Sequence, residues 1–359
     1  FMLRCSLNIL NLLGMIKIRI TREDVAKKAG VSPATVSYIL NNSRKFSDRT
    51  VTRVMNAVSE LNYKPDMIAK SMVTRRTHQI AVVMDNLLNT YYGEIALAFE
   101  KAAMEEGYFV NICSGSINLD AYFEFFITHR IDGAMILALP DKYHINNLYN
   151  LVDSGTKIII GGIDDIDLKR VSLIDNNYGE GMLLAMEHLY SLGHRQIFYL
   201  SSLPGGEQYD FRYTNFLKFQ KERLNNNGEN YVVTLGKSYY NGIDSGVSLM
   251  QKLLKMQRPF TAVVCSNDLL AMGAIKALYS AGLRVPQDIS VVGFDNIMYG
   301  SCWLPPITSV THDKADFGRK AFNILNESIQ SNITGFYKAD VKLAAGKSTA
   351  YVNETTLKY

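Results

Sequence analysis

From residue 79 onward, the chain alternates short apolar runs with longer amphipathic stretches. Runs such as QIAVVM (79–84) and TKIIIGG (156–162) have the length and β-branched content of strands. The stretches between them, such as 91–107, have apolar residues at helical spacing. Strands that are apolar on both faces and joined by helices predict parallel sheets covered on both sides. Nine or more such strands in two halves predict an α/β fold with two doubly wound subdomains.

The last apolar segments indicate that the subdomains are not consecutive halves of the chain. The segments ITSVTHD (307–313) and DVKLAAGKSTA (340–350) follow the second set of strands. We expect them to carry the chain back between the subdomains. The predicted crossings lie near residues 175, 307 and 338, so each subdomain is discontinuous in sequence.

Residues 21–63 have a different pattern, with apolar residues at helical spacing in three short segments. Thr21 can cap the first helix, and a glycine follows that helix. Ser32 can cap the second helix, with Pro33 in the first turn, where no amide donor is needed. Ser47 can cap the third helix, whose apolar residues close a small core. Two helices joined around a glycine predict a helix-turn-helix motif.

Charge is divided unevenly between these two parts. The 359 residues have a net charge of +4. Residues 15–76 hold 13 Lys/Arg and 5 Asp/Glu, whereas residues 77–359 hold 24 Lys/Arg and 29 Asp/Glu. A basic head on an acidic body indicates that only the head meets a polyanion. A solvated basic surface is the alternative that charge alone leaves open.

The second helix of the head has an unusual polar face. Val36, Ile39 and Leu40 would pack inward, while short polar side chains and Tyr38 lie between them. Such side chains can approach base edges and phosphates closely in the major groove. Spacing alone fits a capped surface helix equally well. The basic charge of the head favours DNA.

The sequence of the head resembles the lactose-repressor family of bacterial transcription regulators. The residues that carry the resemblance are Asp24-Val25-Ala26, Ala29 to Ser32, Thr35 to Ser37, Leu40-Asn41 and Tyr63-Lys64-Pro65. The resemblance implies base contacts by Pro33, Ala34, Ser37 and Tyr38. It also implies phosphate contacts by Thr21, Ser32, Thr35, Asn41 and Ser47. The segment after Pro65 matches the family's hinge, which implies minor-groove contacts by Ala69 and Lys70 and a wedge at Met72.

The body also resembles this family, in the segments VVCSNDLLAMGAIKAL, GLRVPQDISVVGFDNI and LPPITSV. The family shares the periplasmic sugar-binding fold, so the resemblance implies that fold for the body. Polar residues follow its predicted strands, where ligands of such sheets bind. Each residue alone is more typical of a helix cap, most firmly Asp268. Together they offer amide, acidic and aromatic groups to a hydroxyl-rich ring. The predicted effector contacts are Tyr91, Tyr92, Asp175, Arg212, Asn267 and Asp295; the resemblance itself implies Tyr92, Arg212, Asn267 and Asp295.

These observations predict the following organisation of the chain. Residues 1–19 are a leader outside the fold, with Met15 as the expected start because Phe1 precedes Met2. Residues 20–64 are a DNA-binding domain, 65–77 a hinge, and 78–359 an effector-binding and dimerisation domain. No apolar run reaches the ~20 residues of a membrane span. The four cysteines form no CxxC pair, so we expect a reduced, cytoplasmic protein without a metal site.

The sequence favours a regulator over an enzyme. It contains no GxGxxG, P-loop, HExxH or GxSxG motif, and we expect neither catalysis nor a cofactor. We predict a DNA-binding regulator, most simply a repressor, that binds a palindromic operator and is controlled by a sugar. The C-terminal residues show no heptads, so a homodimer is favoured. The alternatives are a catabolite-control regulator gated by a phosphorylated protein, and a sugar-binding protein, which would lack the basic head.

Overall fold

The computed structural model describes residues 20–41, 43–65, 71, 74, 76–85, 87–137, 144–161, 166–201, 210–235 and 242–352. The chain forms two compact units, residues 1–77 and residues 78–359. The predicted contacts at Ala69, Lys70 and Met72 lie outside the described residues.

The first unit is built from α1 (Arg22–Ala29), α2 (Pro33–Leu40) and α3 (Asp48–Glu60). Its small core is formed by Val25, Ala26, Ala29, Val36, Val54 and Ala57. Local sequence sets the ends of these helices. The hydroxyl of Thr21 accepts from the Asp24 amide and the Asp24 carboxylate accepts from the Thr21 amide, so Thr21 caps α1 as predicted and forms a capping box with Asp24. Ser32 caps α2 by accepting from the Thr35 amide at 3.1 Å.

The first subdomain of the second unit is a six-stranded parallel sheet with the order β11-β5-β4-β3-β1-β2. Its strands are β1 (Gln79–Met84), β2 (Phe109–Ser114), β3 (Gly133–Leu137), β4 (Lys157–Gly161), β5 (Ser172–Asp175) and β11 (Phe336–Lys338). The helices that pack on it are α4 (Thr90–Glu105), α5 (Gly115–His129), α6 (Ile145–Asp153) and α12 (Lys314–Ser331). The central strands β1, β3 and β4 are buried almost throughout, which explains their continuous apolar sequence.

The second subdomain is a six-stranded sheet with the order β12-β10-β9-β8-β6-β7, in which only β12 runs antiparallel. Its strands are β6 (Ile197–Ser201), β7 (Val232–Thr234), β8 (Ala262–Cys265), β9 (Ser290–Phe294), β10 (Thr308–Thr311) and β12 (Lys342–Ala344). Its helices are α7 (Tyr178–Ser191), α8 (Phe211–Leu224), α9 (Ile243–Lys255), α10 (Asp268–Ser280) and α11 (Met298–Ser301), with a 3₁₀ turn at Gly228–Tyr231. The predicted α/β class with two doubly wound subdomains is confirmed.

The chain passes between the two sheets three times. It leaves the first sheet after β5, returns to it between β10 and α12, and leaves it again between β11 and β12. The crossing expected near residue 307 is misplaced, because residues 308–311 still pair with β9 and β12. The transfer therefore takes place at His312 and Asp313. Among the residues described, no helix combines the length and apolarity that a bilayer span requires.

Candidate functional site

Arg212 lies in the first turn of α8, where its guanidinium is fixed by the protein. Asp210 caps the helix by accepting from the Arg212 amide at 3.0 Å, and the same carboxylate oxygen accepts from Nε at 2.9 Å. One terminal nitrogen of the guanidinium donates to the Ser266 carbonyl at 2.6 Å, after β8. Tyr199 on β6 donates to the other Asp210 oxygen at 2.8 Å. The charge of Arg212 is therefore oriented and balanced beside the ends of two strands.

Tyr178, the first residue of α7, joins Arg212 to Asp295. The guanidinium carbon lies 4.3 Å from the centre of the Tyr178 ring, which is a cation–π distance. The Tyr178 hydroxyl donates to an Asp295 carboxylate oxygen at 2.9 Å. Asp295 follows β9 directly and is almost fully buried. The structure thus brings Arg212 and Asp295, two predicted effector contacts, to one aromatic side chain.

The first subdomain adds Tyr91 from the first turn of α4. Its hydroxyl lies 2.9 Å from Nε2 of His312, in the segment between β10 and α12. Tyr92 packs edge-on against the Tyr91 ring, with 5.2 Å between the ring centres. Burial raises the pKa of Tyr91, and the nearby Asp295 carboxylate raises it further. Tyr91 of the first subdomain therefore lies near enough to Asp295 of the second for that charge to affect its pKa.

Burial dominates the protonation chemistry of this cluster. It raises the pKa of Asp295, while the charge of Arg212 and the hydrogen bond from Tyr178 act in the opposite direction. It also raises the pKa of Tyr178, and the Asp295 charge adds to that effect. Burial lowers the pKa of His312 to about 4, so its ring is neutral near pH 7. The cluster offers neutral hydroxyl and imidazole groups around one oriented guanidinium and the carboxylates of Asp210 and Asp295.

The structure corrects the helix cap expected at Asp268. Asn267 caps α10 instead, since its side-chain oxygen accepts from the Leu270 amide at 2.9 Å. The Asp268 carboxylate points into the second subdomain, where it accepts from the Ile297 amide and the Ser309 hydroxyl. A Cβ atom at Gly293 would lie 2.1 Å from that carboxylate, so this strand position has no room for a larger residue. The position of polar residues after a predicted strand identified this segment, but it did not indicate which of the two side chains caps the helix.

Asp175 has a different environment from the other predicted effector contacts. It ends β5, and one carboxylate oxygen accepts from the Asn177 amide at 2.7 Å. The other oxygen lies 4.0 Å from the ammonium of Lys338. Its carbonyl accepts from the Ala339 amide at 2.8 Å. These contacts bind together two of the crossing segments, and none of them joins Asp175 to Arg212 or Asp295.

Sequence reasoning missed several residues of the cluster. They are Tyr178, Tyr199, Asp210, His312 and Lys314. The sequence did contain a signal for Asp210. An acidic residue two positions before an arginine at the start of a helix can cap that helix and also form an ion pair with the arginine. Tyr178 carried no such signal, since its partner Asp295 is 117 positions away in the sequence.

The predicted DNA contacts lie on the outside of the first unit. Thr21, Ser32, Pro33, Ala34, Tyr38, Asn41 and Ser47 are exposed, and Thr35 and Ser37 are half-buried. The inward face of α2 is anchored by Val36, with Ile39 and Leu40 beside the core. Ser47 precedes α3, but its hydroxyl bonds the Thr50 hydroxyl and no backbone amide. Most of the polar face of α2 is therefore accessible within the described part of this unit, and only Thr35 and Ser37 are partly covered.

A metal site has no support in the described part of the chain. No group of three or more His, Cys, Asp or Glu side chains lies in a position to hold a metal ion there. Cys113 and Cys265 are buried and Cys302 is exposed, and all three are free thiols.

Two family models match the sequence. Residues 21–66 match the model described as bacterial regulatory proteins, lacI family. Residues 186–349 match the model of the periplasmic binding protein-like domain. The two matches fall on the head and on the body, as the fold divides them.

Curated and solved relatives extend over most of the chain. The HTH-type transcriptional repressor PurR of Mannheimia succiniciproducens is 33% identical over 312 residues, which are 86% of this chain and 92% of that protein. A solved complex of the transcriptional regulator CelR with cellobiose is 27% identical, with a TM-score of 0.65, over 92% of this chain and 100% of the other. The lac repressor dimer bound to operator and the anti-inducer ONPF has a TM-score of 0.76 and 24% identity, over 92% and 99% of the two chains, which shows the shared fold.

Proposed function

The chain belongs to the LacI family of DNA-binding transcriptional repressors, and from this premise we propose that an uncharged sugar, bound between its two subdomains, controls its affinity for an operator. The proposed effector contacts are Tyr91, Tyr92, Asp175, Arg212, Asn267 and Asp295. The observation that carries the proposal is the charge-balanced Arg212, held over Tyr178 beside the buried Asp295.

The charge balance of the cluster favours a neutral effector. Asp210, whose side chain is 2% exposed, already pairs with Arg212. A phosphate group would meet the carboxylates of Asp210 and Asp295, a guanidinium that is already paired with Asp210, and the Lys314 ammonium, which already bonds two carbonyls and pairs with Glu94. Removing an anion from water without a free cationic partner is costly. A ring with adjacent hydroxyls can donate to Asp295 and accept from the N–H groups of Arg212 that no described residue uses.

A purine is the second candidate effector. The curated relatives carry the name PurR, whereas the CelR structure is a complex with cellobiose. A purine base is also neutral, and the tyrosines of the cluster would suit stacking on its faces. The third candidate, control by a phosphorylated protein partner, has no specific support in the described residues.

The DNA contacts are proposed for the exposed face of α2 and the residues around it. Pro33, Ala34, Ser37 and Tyr38 would read bases, while Thr21, Ser32, Thr35, Asn41 and Ser47 would contact phosphates. Ala69, Lys70 and Met72 keep their proposed minor-groove role. Two heads of a homodimer would bind the two halves of a palindromic operator. Such a protein acts on the chromosome, so we place it in the cytoplasm.

The effector would act through the crossing segments. Tyr91 belongs to the first subdomain and Arg212 and Asp295 to the second, so an effector that contacts all three stabilises one relative arrangement of the subdomains. The effector can then change operator affinity only to the extent that it binds this arrangement of the subdomains and the alternative arrangement with different affinities. In this proposal, the charge balance of the cluster selects a neutral effector. The crossing segments connect the two subdomains whose arrangement the effector changes.

A thermal-shift panel on the full-length protein tests this proposal. The panel contains cellobiose, ribose, glucose, hypoxanthine, guanine, glucose 6-phosphate and ribose 5-phosphate, and the fluorescence of Trp303, the one tryptophan, follows unfolding. A ligand at 100 times its Kd should stabilise the protein by about 2.7 kcal/mol. We expect a neutral sugar to shift the transition and its phosphorylated form to leave it unchanged.

Variants on helix α8 provide the control. Arg212→Ala should abolish the shift and leave operator binding without effector intact. Arg223→Ala removes an exposed arginine of the same helix that pairs with Glu187 at 3.4 Å, and it should behave like the wild type. A shift with hypoxanthine or guanine alone would select the purine. A shift with a sugar phosphate, or a full response in Arg212→Ala, would contradict the proposed chemistry.

A further inference from the structure

The turn that presents Asp295 has a strained backbone. Asp295 has φ 94° and Asn296 has φ 47°, so two consecutive residues other than glycine adopt left-handed conformations. Side chains disfavour these conformations, and they persist where surrounding contacts hold them. The Asn296 amide donates to the Ser309 hydroxyl at 2.9 Å and the Ile297 amide to Asp268 at 2.8 Å. These bonds hold the amide side of the turn, which leaves the carbonyl side to other groups.

Lys314 holds the carbonyl side. Its ammonium donates to the carbonyl of Asp295 at 3.0 Å and to the carbonyl of Asn296 at 2.8 Å. The Lys314 side chain is only 10% exposed, so the ammonium is largely withdrawn from water at this position. Hydrogen bonds from a charged donor are stronger than those between neutral groups. The ammonium is therefore well placed to fix both carbonyls of the strained turn.

The same ammonium also contacts the first subdomain. It lies 3.2 Å from the carboxylate of Glu94 on α4. Lys314 begins α12, which packs closely along α4, since a Cβ atom at Gly318 would lie 2.4 Å from the Ile95 carbonyl. Helix α4 also supplies Tyr91, one turn before Glu94. One ammonium thus connects the turn that carries Asp295 to the helix that carries Tyr91.

We infer that Lys314 is a positioning residue that orients the Asp295 turn and, through Glu94, couples that orientation to α4. The inference rests on the proposed function only in that Asp295 and Tyr91 are taken as effector contacts. A change at either contact would then be felt at the other, because both depend on the position of one ammonium. This coupling is local, because the two elements are joined by direct contacts of one ammonium, and it needs no longer pathway.

Amide hydrogen exchange of the full-length protein without any effector tests the inference. In Lys314→Met, the amides of Asn296 and Ile297 should exchange about tenfold faster, because both carbonyls of the turn lose their charged donor and only the longer contact from the Thr311 hydroxyl to the Asp295 carbonyl, at 3.4 Å, remains. In Glu94→Gln, the same amides should exchange about threefold faster, although Glu94 contacts neither residue. Lys314→Arg retains the charge and should restore most of the protection. Lys320→Met is the matched control, since Lys320 lies on the same helix and pairs with Asp316 at 3.0 Å on the surface.

Each outcome decides one part of the inference. Wild-type exchange of Asn296 and Ile297 in Lys314→Met would overturn the positioning role, and wild-type exchange in Glu94→Gln would overturn the coupling. Equal acceleration in Lys320→Met would show a general loosening of α12 and would also overturn the inference. If Lys314→Met fails to fold, Glu94→Gln decides, because the Glu94 side chain is 44% exposed and we expect its amide form to fold; wild-type exchange of both amides in that variant would then overturn the inference. No effector is used, so a flat thermal-shift panel would reject the proposed function without touching this result.

Discussion

At the scale of single residues, buried histidines connect stability to pH. His194 donates from Nε2 to the Ala350 carbonyl at 3.0 Å and accepts at Nδ1 from the Thr261 hydroxyl at 2.9 Å, so its ring joins three segments of the second subdomain. The carbonyl requires a proton on Nε2, which leaves Nδ1 as the acceptor of the neutral ring. Burial lowers the pKa of His194 to about 4, against 6.5 for an ordinary histidine. The folded protein therefore resists protonation at a site that the unfolded chain protonates readily.

This difference predicts acid destabilisation between pH 6.5 and pH 4. The folded pKa lies below the unfolded one, so the contribution of His194 is fully present above pH 6.5 and decreases as pH falls. Between pH 7 and pH 5 the contribution of His194 to the unfolding free energy should fall by about 2 kcal/mol, and the buried His312 adds a loss of its own. Urea unfolding followed by Trp303 fluorescence measures it. His194→Gln removes the titrating ring, so the gap between wild type and variant should narrow on acidification; a gap independent of pH would contradict the assignment.

At the scale of elements, α2 separates stability from recognition on its two faces. Val36 is its fully buried residue, whereas Ala34 is exposed and Tyr38 is 43% exposed. Ser32 and Pro33 fix the start of the helix locally, so substitutions further along the outer face leave its fold intact. The outer face can therefore be changed for its effect on DNA alone.

The double variant Ser37→Ala/Tyr38→Ala should lose specific operator affinity and keep its thermal stability. A lost base contact is worth about 1–3 kcal/mol, which is roughly 10- to 100-fold in Kd. Fluorescence anisotropy on a duplex that the wild type selects from a random pool measures this loss, and a scrambled duplex measures non-specific binding. Met55→Ala, an exposed position on α3, is the control. An equal loss on both duplexes would mean that α2 contributes phosphate contacts only.

The ends of helices could be predicted from the sequence, because residues within one turn determine them. Contacts between elements that are distant in the sequence could not be predicted. Thr21, Ser32 and Pro33 reveal helix starts because caps and prolines act within one turn. Arg212 and Asp295 could be placed near each other because both follow strand ends of one sheet. The contact between Lys314 and Glu94 depends on how α12, which follows β10, packs on α4, and no sequence period encodes that packing. Asp268 was wrongly predicted as the cap of α10. The cap is the preceding residue, Asn267, and Asp268 is a buried hydrogen-bond acceptor.

At the scale of the whole molecule, α4 and β2 leave an apolar surface uncovered. Leu97, Met104 and Phe109 are 68%, 66% and 67% exposed, and Ile112 is 45% exposed. A hollow of about 430 Å³ lies among Leu97, Met104 and the charged residues between them. A contiguous exposed apolar patch with a polar rim is typical of a protein interface. A second copy of the chain is the partner that the proposed operator symmetry requires.

The variant Leu97→Asp/Met104→Asp should convert the proposed dimer to a monomer, because each copy would bury two additional carboxylates in an apolar interface, next to Glu100 and Glu105 as well as Lys101. Sedimentation at micromolar concentration measures the state of assembly. Affinity for a duplex with two half-sites should fall about 100-fold or more, whereas affinity for one half-site should not change, because only the linked second binding event is lost. Leu168→Asp, at a 50% exposed leucine before β5, is the control. A variant that stays dimeric would show that the two copies meet elsewhere. A monomeric variant that retains full affinity for the duplex with two half-sites would show that pairing of the two heads does not depend on this surface.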